Sequence, residues 1–229
     1  MKSFVLIISS LLILLTNKCS SQPSANLPVN AFEQGMLHPQ AQLLDVRTMN
    51  EFNNGHLKNA LQADWNNDVQ FKERVQALDK SKPVYTYCLS GARSDAATKW
   101  LNENGFTAYN MQGGIAAWKK AGKPLEAAKA VKQITLEEYM AQLPTDKTVL
   151  LDVGATWCPP CIKMNPVIDS LAAANQSKIY LQRIDGGDQT TLVEALHIDA
   201  FPTFIIFKKG KEVWRKQGIT DPAELAKAF

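Results

Sequence analysis

The feature that most constrains this chain is a pair of cysteines three residues apart, in the segment Trp157-Cys158-Pro159-Pro160-Cys161. The segment follows an apolar run at 149–153 that predicts a buried strand. A strand, a short turn and a helix in that order place Cys158 at the first turn of the helix. Unpaired backbone N–H groups and the helix dipole stabilise a thiolate at that point.

The other residues of the segment fit the same geometry. Cys161 lies one helical turn further along, close enough to form a disulfide with Cys158. Pro159 suits the first helical position, where its missing N–H costs little, and the N–H of Cys161 can reach back to the Cys158 sulfur. A pair of this kind cycles between dithiol and disulfide by exchange with a partner.

Zinc binding is the main alternative for a CxxC pair. A zinc ion needs two further cysteine or histidine ligands. The remaining candidates are scattered singly along the chain: Cys88, His38, His56 and His197. We therefore favour redox chemistry and predict no metal site.

Two further residues support the redox interpretation. Asp152 lies on the predicted strand just before the motif, where a buried acid could move protons to and from Cys161. Pro202 precedes the apolar run at 204–207, and a proline at the mouth of a strand facing the thiols is where a cis peptide would lie. We predict that Asp152 and Pro202 act in catalysis with the two cysteines, and that Trp157 contacts the substrate.

These residues, together with Pro166 and Gly218, resemble the thioredoxin family over about residues 132–229. The resemblance implies a thioredoxin-like fold and thiol–disulfide oxidoreductase activity at the CxxC pair. One position departs from the family pattern. The next predicted strand carries Leu181 where the family often has a lysine that pairs with the buried acid, so the resemblance does not supply a partner for Asp152.

Size and composition set the wider limits. The chain has 229 residues, 45% of them hydrophobic, which is enough for one large or two small domains with proper cores. A net charge of +3 gives no case for nucleic-acid binding. The four cysteines are Cys19, Cys88, Cys158 and Cys161, and no pair beyond the CxxC looks structural. The chain is therefore not a disulfide-stapled scaffold.

Residues 1–19 have the pattern of an export signal. Lys2 is followed by an apolar run at 4–15, which is too short to span a bilayer comfortably and whose flanks disfavour a core helix. We expect a bacterial protein exported to the periplasm. Cys19 suggests lipid attachment, although Lys18 stands where such signals prefer a small residue, and ordinary cleavage near Ser21 is the alternative. A polar tether at 20–26 favours the lipoprotein.

From about residue 30 the sequence alternates short apolar segments with helical patterns. The segments at 42–47, 60–65, 83–88 and 107–111 predict strands, and those at 68–78, 94–104 and 115–121 predict helices. This order predicts an α/β domain with a mostly parallel sheet covered on both faces. In such sheets the functional site lies at the carboxyl ends of the strands.

Cys88 lies at such a strand end. The segment that follows is Leu89-Ser90-Gly91-Ala92-Arg93-Ser94, with a helix starting near Ser94. A short glycine-containing loop that closes onto a helix N-terminus can point several backbone N–H groups at one anion. Here that anion is the Cys88 thiolate or a sulfur carried on it, and Arg93 adds a positive charge at the rim. The alternative is a buried, inert cysteine.

Further matches favour the reactive cysteine. The segments 45–47, 51–52, 55–56, 88–94 and 113–118 together resemble a single rhodanese domain over about residues 27–125. The resemblance implies sulfur transfer through a persulfide on Cys88, with Leu89, Ser90, Gly91, Ala92 and Ser94 binding the substrate. It leaves His56 and Trp118 with structural roles. We interpret Arg47 and Glu51 as a local salt bridge because of their i,i+4 spacing.

Loop length argues against the phosphatase or arsenate reductase alternative. Phosphate-handling cysteine loops place five residues between cysteine and arginine, whereas here four intervene, 89–92. Tyr87 also stands where those phosphatases usually carry histidine. A smaller cradle suits one sulfur atom better than a phosphoryl group.

The rest of the chain forms a linker and a second α/β unit. Residues 126–131 predict a short linker that keeps the two sites in one neighbourhood. Thr135 and Glu138 predict a capping box. Strands are expected at 148–153, 178–184, 203–208 and 212–217, and helices at 160–175, 190–197 and 221–229.

The leading hypothesis is an exported two-domain sulfur and thiol enzyme. Cys88 takes sulfane sulfur from a donor such as thiosulfate, and the Cys158–Cys161 pair reduces the persulfide or other disulfides. An external membrane thiol relay would regenerate the pair, because no flavin or nicotinamide fingerprint is present and no cofactor is predicted. A second hypothesis is a reductase or isomerase of exported thiol or disulfide proteins, in which the rhodanese-like half docks or senses sulfur. A third is a non-catalytic tethered binding module.

Overall fold

The computed structural model describes residues 25–127 and 131–229, which form two sheets in two successive domains. We refer to them as the N-terminal and C-terminal domains. The predicted leader 1–19, with Cys19, lies outside the described residues, as does most of the predicted tether. None of the helices in the described part of the chain has the length and apolar character needed to cross a membrane.

The N-terminal sheet is parallel throughout, in the order β1-β5-β4-β2-β3. Its strands are β1 (Asn26–Leu27), β2 (Gln42–Asp45), β3 (Leu61–Gln62), β4 (Val84–Tyr87) and β5 (Ala108–Met111). Its helices are α1 (Val29–Met36), α2 (Met49–Asn53), α3 (Asp68–Val75), α4 (Ala92–Glu103) and α5 (Gly114–Lys120).

Helices cover both faces of this sheet, which confirms the predicted architecture. On one face Phe71 of α3 and Leu101 of α4 pack in one buried cluster. On the other face Phe32 of α1, Phe52 of α2 and Ile115 of α5 pack in a second cluster. A parallel sheet needs this double cover because its strands are apolar on both sides.

Some N-terminal elements differ from the sequence expectation. The helices α1 and α2 and the strand β1 were not predicted, and Asn26, placed in the tether, pairs with β5. The strand expected at 60–65 contains only Leu61 and Gln62, because it is an edge strand whose register with β2 covers those two residues. The five-residue α2 is too short to show a helical period and is held by its capping box.

The C-terminal sheet is mixed, in the order β7-β6-β8-β9. Its strands are β6 (Thr148–Gly154), β7 (Ile179–Asp185), β8 (Thr203–Lys208) and β9 (Lys211–Gln217), with β6 parallel to β7 and antiparallel to β8. Its helices are α6 (Leu136–Met140), α7 (Pro159–Ala174), α8 (Thr190–Ala195) and α9 (Pro222–Lys227). The predicted capping box of Thr135 and Glu138 starts α6.

The two domains meet at the edges that carry the cysteines. Cys88 directly follows β4, and Cys158 is the N-cap residue of α7 shortly after β6. Helix α3 packs against α7. At the carboxyl end of β3, the N–H of Gln62 donates a 2.9 Å hydrogen bond to the carbonyl oxygen of Trp157. The CxxC segment is therefore docked on the N-terminal domain.

Gly114 lets α5 approach the loop after Cys88. It has a φ of +58°, and a Cβ at this position would lie 2.5 Å from the carbonyl oxygen of Cys88 and 2.7 Å from that of Leu89. The approach allows the N–H of Ile115 to donate to the Cys88 carbonyl at 2.8 Å. A glycine is required here both for its backbone conformation and for the space.

We expect Gly114→Ala to lower the free energy of unfolding by about 1–3 kcal/mol, because strain and a steric clash act together. Gly122→Ala is the matched control, since Gly122 also has a positive φ, +69°, but open space around it. Urea denaturation of both variants measures the difference. An equal decrease in the free energy of unfolding in the two variants would show that the close approach of α5 contributes nothing to stability.

Candidate functional site

The Cys88 sulfur lies in a cradle of main-chain groups. Its residue is 1% exposed, and the N–H of Gly91 donates to Sγ at 3.1 Å. Gly91 is the N-cap of α4 and has a φ of +97°, a left-handed conformation that suits glycine. The helix begins at Ala92, two residues earlier than expected, which brings its first turn closer to the sulfur.

This cradle shifts the acidity of the thiol. Burial raises the pKa of Cys88, but hydrogen bonds from the Ser94 side chain and from the main chain of Ser94, Ser90 and Gly91 outweigh it. The resulting pKa lies below the ordinary value of a cysteine. Because hydrogen bonds to the charged form favour that form, the loop can stabilise a thiolate or a persulfide anion.

Arg93 stands beside the cradle, as predicted, but it has an acidic partner. Its guanidinium binds Glu51 in a bidentate manner at 2.6 and 2.8 Å. Hydrogen bonds from Arg93 are the main reason that the pKa of Glu51 falls to about 2. The pair fixes the orientation of the cation, and the charge of Cys88 is among the interactions that raise the pKa of Arg93.

The expected salt bridge between Arg47 and Glu51 is therefore wrong. Arg47 turns back to the carboxylate of Asp45, with its Nη2 2.6 Å from Oδ2, and also donates to the carbonyl of Gly55. Asp45 ends β2 and is fully buried, so its charge needs a nearby cation more than half-buried Glu51 does. Glu51 is left free to cap α2 and to bind Arg93.

The second sulfur centre is a disulfide between Cys158 and Cys161. Cys158 is the N-cap of α7, Pro159 is the first helical residue, and the N–H of Cys161 lies 3.3 Å from the Cys158 sulfur, all as predicted. Cys158 is 0% exposed and Cys161 4%. Cys161 also borders a small cavity that Asp152 and Arg183 line.

Asp152 has a partner that the sequence comparison did not supply. Leu181 stands at the expected lysine position, but Arg183, two residues on, is directly opposite Asp152 in the β6–β7 register and binds it at 3.0 Å. Burial raises the pKa of Asp152, and Arg183 partly offsets this. A buried carboxyl with a raised pKa beside Cys161 is suited to proton transfer.

Pro202 follows a cis peptide bond, as predicted, and precedes β8. The ring of Phe201 lies 5.8 Å from that of Trp157. Trp157 and Phe201 both pack against the buried pair of cysteines. The structure thus places Trp157 and Phe201, the residue before Pro202, against the two cysteines, and Asp152 on the cavity that Cys161 borders.

Three contacts of Trp157 with the N-terminal domain were not expected from the sequence. Besides the main-chain bond from Gln62, its ring packs 5.8 Å from Phe52 and lies under the guanidinium of Arg74 at 5.1 Å. We call Phe52, Gln62, Arg74, Trp157 and Phe201 the interdomain seam. No local sequence signal predicts these contacts, because the seam joins segments far apart in the chain.

His56 and Trp118 both make contacts within the N-terminal domain. His56 stacks on Phe52 and its Nδ1 lies 3.0 Å from the Phe52 carbonyl, while Trp118 donates to the carbonyl of Pro124. His56 also pairs with Glu126, which the sequence placed at the start of the linker. The described residues contain no group of His, Cys, Asp or Glu side chains that could hold a metal ion.

Comparison with known families agrees with this geometry. A rhodanese-like domain model matches residues 29–121, and a thioredoxin model matches residues 130–229. The chain therefore belongs to both families and is a fusion of a rhodanese-like domain with a thioredoxin domain. The site and the fold together support a chemistry of sulfur transfer and thiol redox exchange.

Individual relatives match one domain each. Thiosulfate sulfurtransferase GlpE of Vibrio cholerae is 35% identical over 104 residues, which cover 45% of this chain and 95% of that protein. A thioredoxin-like protein of Synechocystis sp. is 33% identical over 88 residues, 38% of this chain and 82% of that protein. The chloroplastic thioredoxin Y of Oryza sativa is 40% identical over 74 residues, which cover 32% of this chain and 44% of that protein.

We expect the alkylation rate of Cys88 to rise with pH around a midpoint below that of a free cysteine. A thiol with a lowered pKa is already largely thiolate at a pH where a free thiol is protonated. Ser94→Ala removes the side-chain hydrogen bond and should move the midpoint upward. The measurement is the pH–rate profile with iodoacetamide, in a Cys158→Ser, Cys161→Ser background.

Ser90→Ala is the control for that profile, because the main chain of Ser90 contributes to the lowered pKa. Its midpoint should stay near that of the parent protein. A Ser94→Ala midpoint equal to that of the parent would show that the hydroxyl does not stabilise the thiolate.

Proposed function

We propose that the protein couples sulfur transfer to thiol redox chemistry. In the first step the Cys88 thiolate attacks the sulfane sulfur of a donor such as thiosulfate. The S–S bond of the donor breaks, sulfite leaves, and Cys88 carries a persulfide anion. The cradle of N–H groups and the lowered pKa of Cys88 support this step.

In the second step the reduced Cys158 thiolate takes the outer sulfur from Cys88 and becomes a persulfide. Cys161 then attacks the Cys158 sulfur, hydrosulfide leaves, and the Cys158–Cys161 disulfide forms. Two electrons pass from the dithiol to the sulfane sulfur, and Cys88 returns as a thiolate. Asp152 accepts and supplies the proton of Cys161, in keeping with its raised pKa.

One observation carries this proposal: the hydrogen bond from Gln62 to Trp157, which places the CxxC segment on the carboxyl edge of the sheet that holds Cys88. In the strand order, β3 and β4 are separated by β2 alone. Two strand spacings correspond to about 10 Å. Cys88 and the CxxC segment thus lie at the same carboxyl edge of the N-terminal sheet. When the two domains separate, the linker keeps the effective concentration of each sulfur centre near the other high.

The single Cys88 and the Cys158–Cys161 pair together test the coupling. Purified reduced protein treated with thiosulfate should form a persulfide on Cys88 and then release hydrosulfide as the Cys158–Cys161 disulfide appears. Cys161→Ser should retain the transferred sulfur on Cys158 or trap a mixed disulfide through it, because the resolving thiol is absent. Mass spectrometry of the intact protein and its peptides follows each species. Wild-type persulfide that stays on Cys88 indefinitely would refute the coupling.

In a second candidate the pair reduces disulfides of other exported proteins and the rhodanese-like domain only docks or senses sulfur; the contact of the two domains at Trp157 supports the docking role. Cys88→Ser distinguishes the two. In the coupled mechanism wild-type protein releases hydrosulfide from thiosulfate and this variant does not, whereas in the second candidate neither protein releases it and both turn over protein disulfides at the same rate. A membrane thiol relay, which supplies dithiol electrons from outside the chain, would serve either mechanism.

We propose further that the protein works in the periplasm as a lipoprotein attached through Cys19. The support is the leader pattern at 1–19 and the polar residues that follow it. Cys19→Ala should move the protein from the membrane fraction to the soluble periplasmic fraction in cell fractionation. Soluble periplasmic protein in the wild type would favour ordinary cleavage, and cytoplasmic protein would overturn export.

A further inference from the structure

The N-terminal domain packs against the CxxC segment at Trp157. Cys158 is 0% exposed, and the seam packs over the tryptophan that precedes it. Exchange with a thiol requires that the incoming sulfur approach the disulfide along its S–S axis. A partner protein therefore has to displace the N-terminal domain before it can reach Cys158.

Arg74 contacts both sides of this interdomain seam. It lies on α3, is 7% exposed, and its Nη1 donates to the carbonyl oxygen of Gln62 at 3.1 Å and also to the Gln62 side-chain oxygen. Its guanidinium faces the ring of Trp157 at 5.1 Å. One cation thus connects β3 with the first residue of the CxxC segment.

The environment makes this contact strong. Burial lowers the pKa of Arg74 to about 10, and the nearby charges of Asp64 and Glu73 offset this only partly. A cation removed from water without a carboxylate in contact gains more from an aromatic face than an exposed one does. The guanidinium of Arg74 consequently interacts with the ring of Trp157 and with the two oxygens of Gln62.

Cavities lie on both sides of this contact. One, of about 320 Å³, is lined by Arg74, Pro160, Phe201 and Gly218, and the other, of about 250 Å³, by Arg74, Trp157 and Phe201. Each is large enough for a small molecule and is lined by Phe201, which packs against the disulfide. A small thiol can therefore approach the seam through local side-chain movement, whereas a protein needs the two domains to separate.

We propose that Arg74 is a specificity-determining residue that slows reduction of the oxidised Cys158–Cys161 pair by protein dithiols, relative to small thiols, by holding Trp157 against the rhodanese-like domain. The restriction of protein partners stands independently of sulfur transfer.

The test compares two reductants of the oxidised full chain in a Cys88→Ser background. A dithiol attacks Cys158, Cys161 leaves as a thiolate, and the second thiol of the reductant resolves the mixed disulfide, so two electrons enter the pair. Dithiothreitol is the small reductant and a reduced bacterial thioredoxin is the protein reductant. The freed cysteines are quantified by alkylation and a gel shift.

Arg74→Met should increase the rate with reduced thioredoxin about tenfold or more, because loss of a desolvated cation–π contact favours the open arrangement. Its rate with dithiothreitol should change less than about twofold. Lys72→Met is the matched control, since Lys72 lies on the same helix but is exposed and pairs with Asp68. It should change neither rate. Equal changes with both reductants, or none with thioredoxin, overturn the proposal.

A folding defect is detected separately. In the same Arg74 variants with Cys88 retained and the CxxC pair changed to serine, the Cys88 alkylation profile reports whether the N-terminal domain is intact. If Arg74→Met disturbs that profile, Arg74→Lys decides, because lysine keeps the charge but cannot reproduce the fork of bonds to Gln62. It should give a smaller increase with thioredoxin, and no increase contradicts the proposal. The Cys88→Ser background keeps a failure here distinct from a failure of sulfur transfer.

Discussion

The structure depends on one recurrent arrangement, a strand that ends at a helix N-terminus with a cysteine at the junction. In the N-terminal domain β4 leads to Cys88 and α4, and in the C-terminal domain β6 leads to Cys158 and α7. Backbone N–H groups that have no partner inside the helix are directed at sulfur in both places. A sulfur anion satisfies those groups, so stability of the fold and reactivity of the site have the same cause.

The two sites differ in the charged and polar groups that surround the sulfur atoms. At Cys88 hydrogen bonds outweigh burial, and Arg93 is kept in place by Glu51. At the CxxC pair, burial raises the pKa of the nearby Asp152 carboxyl, and the interaction with Arg183 offsets this rise only partly. The first site is thus suited to holding a negative sulfur, and the second to exchanging protons as its thiols open and close.

The interdomain seam is where the two fused domains contact each other. Trp157 contributes to the packing of both domains, since its ring contacts Phe52 and Phe201. Arg74 and Gln62 belong to α3 and β3, elements with no chemistry of their own. They nevertheless decide which molecules can reach Cys158. The N-terminal domain, which a linker joins to the C-terminal domain, thus also packs against the CxxC segment.

Most of the fold and the chemistry could be predicted from local patterns. Apolar runs ending at Cys88 and before Cys158 indicated strands, and the spacing of the CxxC pair, Gly91 and Pro202 indicated the site, because these features act through bonds only a few residues apart. Short elements such as α2 and β1 escaped prediction, since five residues or fewer show no period. Ion pairing was misjudged at Arg47 because burial of Asp45 outweighed helical spacing.

The sequence by itself determined two α/β domains, each with a cysteine at a helix start, because strand, turn and helix signals are local. Only the tertiary structure decided the partners: Arg183 for Asp152, Glu51 for Arg93, and Arg74 with Gln62 for Trp157. Those choices depend on strand register and on which surfaces exclude water when the domains meet. Neither is encoded at any single position, since both arise from residues that are distant in the chain and adjacent only after folding.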